Sequence, residues 1–448
     1  MKEINISDIG AVVCDRLQTP YIQAAIDECF LAGGGRVIIP CGVFLTGGLR
    51  IRSNVELYLE SGAILKGSRD CMDYFGYLED KIEPLAVEKL PEGVNASAWP
   101  TSRWSNGLIR AIDAHNFAVI GEKGSYIDGV NCYDPKGEQA FRGPHGMSFW
   151  NCSGIRLEGY TFMNSANWCH AIFQSQDITI RNITILGGHD GIDMRTCDNV
   201  LIEKCNINSG DDPVAGFDDN DVVIRDCVLN TGCHVFRLGG NNILMENCTS
   251  SDSGFGHRRG MSDEAKMGGW VSDEGCRHVI QAPYCYYCDF RAKIRKTAEN
   301  IVLRNATFSN CRELIRVEFD GKHPWCCNRP LRQITYENCV VEGLYGTGMV
   351  WSEENERITC HFKNVKITCR EECRDMPLLV AGNFDRLIFE DCVIEGFAEP
   401  TVLVGTDGGS VEVIRSTPIK VKRVTFEECL EAHPHGLTVH PLNKLKLQ

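Results

Sequence analysis

Five stretches share one pattern: SGIRLEGYTFMN (153–164), QDITIRNITILG (176–187), DNVLIEKCNINS (198–209), NDVVIRDCVLNT (220–231) and NNILMENCTSSD (241–252). Their first aliphatic anchors, Ile155, Ile178, Val200, Val222 and Ile243, are spaced by 23, 22, 22 and 21 residues. Each unit holds two short runs in which apolar and polar residues alternate, divided by a polar or glycine position, which reads as strand, turn, strand. A leucine-rich repeat of similar length needs a leucine-dominated consensus and often a helix, and this pattern has neither. The spacing predicts an all-β chain folded as a right-handed parallel β-helix of about 22 residues per coil, with coils stacked about 4.8 Å apart.

Later copies begin at Glu299 (ENIVLRNATFSN), Leu331 (LRQITYENCVVEG), Asp385 (DRLIFEDCVIEG) and Lys422 (KRVTFEEC), which extends the solenoid to the end of the chain as one domain, residues 1–448. Cys205, Cys227 and Cys248 share one phase of successive coils, and Cys339, Cys392 and Cys429 share a phase later on, so these are expected to be stacked core thiols. A solenoid must cover its open first rung. Residues 1–35 are expected to do this, because YIQAAIDECFL (21–31) is amphipathic at helical spacing, with Thr19 and Pro20 as a start and Gly33 to Gly35 as a stop. Coils proper then begin at GRVIIP and NVELYLESGAILKG. Departures from the period near residues 71–106 and 251–290 read as loop excursions, where a cleft would be built on a rigid rod.

The chain has 448 residues, is 43% hydrophobic and 24% charged, and carries a formal charge of −14. That excludes global disorder and argues against a non-specific nucleic-acid binder, which needs a basic footprint. No apolar run approaches the roughly 18 residues of a membrane span, and MKEINISDIGAVVCD has no apolar leader core, so a cytoplasmic protein is expected. Its 24 cysteines fall below the density of a disulfide-stapled secreted chain, and free thiols are the expectation. Cys285 with Cys288, and Cys369 with Cys373, offer only weak half-sites for zinc.

Chemistry concentrates between Gly187 and Gly240. Asp190 and Asp211 are 21 residues apart, one coil, with Asp212 beside the second, and His234 follows Asp212 by 22 residues. Neighbouring rungs should therefore present three acids and an imidazole on one wall, an arrangement that raises the pKa of one acid and suits proton transfer.

These residues resemble the polygalacturonase family, glycoside hydrolase family 28, whose pattern is NTDGxD, GDD, GHG and RxK. The chain reads GHDGID at 188–193, GDD at 210–212 and GCHVFRLGG at 232–240, and NSANWCHAI (164–172) is similar to the family's NSPxW segment. The resemblance implies an inverting, cofactor-free and metal-free hydrolase of galacturonan or rhamnogalacturonan oligosaccharides. In it Asp211 is the general acid, Asp190 and Asp212 activate water, and His234 tunes the acid or touches substrate. The RxK match falls on Arg291 and Lys293, with Arg295 and Lys296 as a shifted alternative, and would clamp the substrate carboxylate. Adjacent rungs bring carboxylates closer than the ~6.5–9.5 Å usual for inversion, so inversion comes from the resemblance. Gly188-His189, Pro213 and Cys233 depart from the pattern and point to altered sugar specificity.

His170, His189 and Trp168 are further candidates for substrate contact, with core packing as the alternative for each, and Arg258 and Arg259 in GHRRG form a candidate basic rim. Asp193 reads as an anchor of its turn. Lack of an export signal suits small imported substrates, and the long excursions, by closing one end of a cleft, favour exo action. Two other readings keep the fold: a glycosidase, transferase or lyase acting on a different sugar, and a non-catalytic carbohydrate-binding β-helix.

Overall fold

In the computed structural model the described residues are 2–74, 106–133, 143–256, 279–288, 298–319, 329–405 and 408–433. The chain groups into two compact units, Met1–Ala215 with Gly254–His278, and Gly216–Ser253 with Val279–Gln448.

In the first unit every coil contributes one strand to each of three parallel sheets. The first sheet includes Ser153–Glu158, Gln176–Arg181 and Asp198–Glu203, and the second Thr161–Met163, Thr184–Gly187 and Asn206–Ser209. The third includes Gly107–Ile112, His145–Trp150, His170–Phe173 and Ile192–Arg195. The anchors align as expected, with Ile155 opposite Ile178 and Ile178 opposite Val200, all buried. Each such side chain contributes about 1.5–3 kcal/mol by leaving water.

The helix forms over Thr19–Leu31, with Pro20 in its first turn, and buries Ile22, Ala25, Ile26 and Cys29. It packs on the first strands, one of which, Lys2–Asn5, pairs with Gly35–Ile39 and precedes the point where the sequence reading begins the coils. EIN is too short to show a period, so only its partner strand reveals it.

The second unit repeats the plan. Val222, Ile243, Ile301 and Ile334 align in its first sheet, and Cys227, Cys248, Cys339 and Cys392 each place Sγ against the carbonyl two residues back. Burial pushes Cys339 up to about 11, so it is an inert thiol at neutral pH. The repeat assigned to KRVTFEEC is corrected by the structure. Lys420–Arg423 is a strand of the third sheet, and Phe426–Ala432, with Cys429, is a helix. The reason is local: Thr425 and Glu428 form a reciprocal capping box that starts a helix where the aliphatic pattern suggested a coil.

Turns within the coils fall at fixed phases and use left-handed backbone, which Asn and Asp tolerate best among residues with a side chain. Asn247, Asn305, Asn338 and Asn364 all have φ between 50° and 54°. Their amides form a column: Asn364 donates to Asn338, Asn338 to Asn305, Asn305 to Asn247, and Asn247 to Asp226. A second column runs from Asn300 through Asn242 to Asp221. In the first unit Asn199 donates to Asp177, and Asn151 to Asp113.

Candidate active site

The site is built on the third sheet of the first unit and the turns that lead into it. Phe149 packs edge-on against Phe117 of the first sheet, and His170 against Phe162 of the second, so alternate residues on these strands point inward. The outward face then carries two columns: Arg110, Ser148, Ala171 and Asp193, and beside them Ile112, Trp150, Phe173 and Arg195.

Asp190 sits in the turn before Ile192–Arg195, and Asp211 and Asp212 in the next turn along the chain. The two turns are tied together by backbone: Gly191 N donates to Asp212 O at 3.0 Å, Ile192 N to Pro213 O at 3.0 Å, and Gly210 N to Gly187 O at 2.8 Å. Two glycines permit this approach. A Cβ on Gly191 would meet Pro213 O at 2.6 Å, and one on Gly210 would meet Gly256 O at 2.1 Å. Ser209 Oγ fixes the second turn by donating to Asp211 O at 2.7 Å.

The consequence is a carboxylate trio. One oxygen from each of Asp190, Asp211 and Asp212 lies within 4.8 Å of the others, and all three residues are buried. Two hydrogen bonds of about 2.7 Å to one water span roughly this distance, so a pair of these acids can hold a single water between them. The same oxygens form a ligand set that a hard cation would accept.

Other expected site residues are placed as follows. His189, next to Asp190, is buried. Trp168 is buried beneath the Arg195 guanidinium, 4.7 Å from its ring, and 5.3 Å from the ring of His145. Asp193 Oδ1 lies 3.2 Å from Arg195 Nε in a buried ion pair within one strand. His170 is corrected from a substrate contact to an interior group. It is fully buried beside Phe162, and its Nε2 lies 2.8 Å from the Tyr160 hydroxyl. Burial lowers its pKa to about 4 against a backbone hydrogen bond to Gly191 that raises it, so the ring is neutral at pH 7. His234 belongs to the second unit, where it is buried with Nδ1 3.5 Å from Cys233 Sγ. Arg258, Arg259, Arg291, Lys293, Arg295 and Lys296 lie outside the described residues.

Sequence reasoning passed over Arg195, Arg110 and Trp150. Arg195 follows Asp193 by two residues, and strand alternation places both on the same face, which is the signal that could have found it. Trp150 stacks on Phe173 at 4.0 Å between centroids and an interplanar angle of 15°, giving that face an aromatic floor.

A three-sheet solenoid with converging carboxylates on one pair of turns is, by fold and chemistry, a β-helix equipped for acid–base work. Residues 94–260 match the sequence profile described as Glycosyl hydrolases family 28. A probable polygalacturonase from Vitis vinifera is 30% identical over 212 residues, 44% of this chain and 40% of the relative. An exo-poly-alpha-D-galacturonosidase from Dickeya chrysanthemi is 33% identical over 137 residues, 30% of this chain and 20% of that protein. The chain thus spans less than half the length of these two relatives. The crystal structure of a hyperthermoactive exopolygalacturonase from Thermotoga maritima superposes with a TM-score of 0.61 at 19% identity, covering 94% of this chain and 92% of that one. That likeness carries the fold, a right-handed parallel β-helix.

Proposed function

We propose that the protein hydrolyses glycosidic bonds in pectin-derived oligosaccharides of galacturonan or rhamnogalacturonan type, removing sugars from a chain end with inversion. The observation that carries this reading is the approach of Asp190, Asp211 and Asp212 to within 4.8 Å on two tied turns. Asp211 protonates the glycosidic oxygen as the bond to the anomeric carbon breaks. Asp190 and Asp212 hold a water and take its proton as its oxygen forms the new bond. General acid–base assistance of this kind contributes about 10²–10⁴-fold.

The profile match over residues 94–260 and the Dickeya relative's name support the uronic-acid substrate and exo action. Buried thiols such as Cys205, Cys227 and Cys248 suit a reducing compartment, and we place the reaction in the cytoplasm on imported fragments. Among the described residues Arg195 and Arg110, on the outward face of the site's sheet, are the cations we assign to the substrate carboxylate.

The test is incubation with oligogalacturonides and rhamnogalacturonan fragments, followed by proton NMR of the first product. The expected result is an inverted monosaccharide released by wild type and not by Asp211→Asn. Equal rates for the two proteins, or no release from any uronic-acid oligosaccharide, would overturn the reading. The hard-cation alternative is separated by a chelator, which leaves hydrolysis by carboxylates intact.

A further inference from the structure

We propose that the second unit carries a pocket for a neutral saccharide, formed by three successive turns and the end of the C-terminal helix. This goes beyond hydrolysis and does not depend on it. The turns precede the strands Arg316–Glu318, Gly348–Trp351 and Leu379–Gly382, and with the helix they line an open cavity of about 410 Å³. That is within the size range of small-molecule sites.

Its floor is polar and buried. Glu313 is 1% exposed and His433 2%, with His433 Nε2 3.3 Å from Glu313 Oε2, an ion-pair distance without hydrogen-bond alignment. His433 Nδ1, buried in the wall, has no partner among the described residues. Arg312 uses three of its five donors, two on Glu313 and one on Gln281 Oε1. Thr347, 6% exposed, lines the same space, and among the described residues its hydroxyl bonds to nothing. The buried Glu313 Oε2 and His433 Nδ1, left in this way, cost about 1–3 kcal/mol each, a cost removed when a ligand bonds to them.

The mixture selects the ligand. Arg N–H groups and the Thr347 hydroxyl supply donors, while Glu313 Oε2, Asp375 and Glu372 supply acceptors. Sugar hydroxyls, each both donor and acceptor, complement such a wall, and the Tyr345 ring offers an apolar surface for the carbohydrate C–H face. Arg370, 4.3 Å over that ring, holds it in place. One lining arginine against three carboxylates disfavours a uronate.

The test uses the full chain carrying Asp211→Asn, so that nothing is hydrolysed, titrated by calorimetry with methyl β-D-galactopyranoside, L-rhamnose and sodium D-galacturonate as probes. The expected result is saturable binding of at least one neutral sugar, weaker binding of the uronate, and about a threefold to tenfold loss of affinity in Thr347→Val. Asp375→Asn at the rim, distant from the folded core, gives a second variant should Thr347→Val fail to fold. No saturable binding of either neutral sugar, galacturonate binding as tightly, or unchanged affinity in the folded variants would each overturn the proposal. Loss of hydrolysis in the wild-type chain with this binding intact would sink only the catalytic reading.

Discussion

The imidazole Nδ1 of His170 lies 3.3 Å from the carbonyl oxygen of Gly191, the residue that follows Asp190. The backbone N–H of His170 donates to the same oxygen at 3.0 Å. The acid-bearing turn is therefore held from inside the coil by a neutral ring that donates at Nδ1 and accepts from the Tyr160 hydroxyl at Nε2. Because the folded pKa of about 4 lies below the unfolded value of roughly 6.5, the unfolded chain takes up a proton first as pH falls. The stability this ring contributes is complete above about pH 6.5 and declines toward pH 4, by an amount on the order of 3 kcal/mol. His170→Phe should be less stable at pH 7, lose part of this pH dependence, and lower kcat more than it raises KM. Urea unfolding at pH 7 and 4.5, with kinetics alongside, checks this.

Three carboxylates within 4.8 Å repel one another when ionised. Asp212→Asn should raise Tm by a few degrees while lowering kcat by about 10²-fold or more, since the group that limits stability is the one that works. A fall in Tm together with activity would show that the trio is held by structural hydrogen bonds. Thermal unfolding of the three single Asn variants gives the comparison.

Glu313 provides the acid limit of the second unit. Burial alone would raise its pKa, but the adjacent His433 and the charges of Arg316 and Arg312 bring it down to about 2. Its stabilisation is present above the unfolded value near 4.3 and is lost as pH falls through about 2. Glu313→Gln would leave buried cations uncompensated and should cost about 3–5 kcal/mol at pH 7. Denaturant titration of wild type and variant from pH 7 to 2.5 should show the gap narrowing with acid.

Thr425 accepts from Glu428 N at 3.2 Å, and Glu428 returns a bond to Thr425 N at 2.8 Å. The helix they start covers Met349, Val380 and Leu403 of the third sheet. Thr425→Ala should cost about 1 kcal/mol and should speed hydrogen exchange in Phe426–Ala432 before the sheets respond.

The β-helix was legible because its anchors recur at intervals that only stacking explains, and the acids because Asp190 and Asp211 are one interval apart. What escaped was local or lateral. The strand at Lys2 is visible only through its partner, and TFEE combined an aliphatic phase with a helix cap, so the cap decided. Arg195 and Trp150 were hidden because reading coils lengthwise aligns residues of equal phase and does not show which unlike phases face each other across a strand. For His170 substrate contact and core packing both stood open, and alternation along His170–Phe173 turns it inward.

The asparagine columns give the solenoid a direction. Each amide donates toward the chain's beginning, and each of the four runs terminates on an aspartate: Asp226, Asp221, Asp177 or Asp113. An ionised carboxylate only accepts, so it can receive the last amide but cannot pass a bond further. Coils are therefore not interchangeable. A duplicated coil bearing Asn could be spliced between Asn305 and Asn338 and continue the run, while one bearing Asp there would set two acceptors face to face. The lengthening of such a protein by coil duplication is permitted at some rungs and barred at others by a single amide nitrogen.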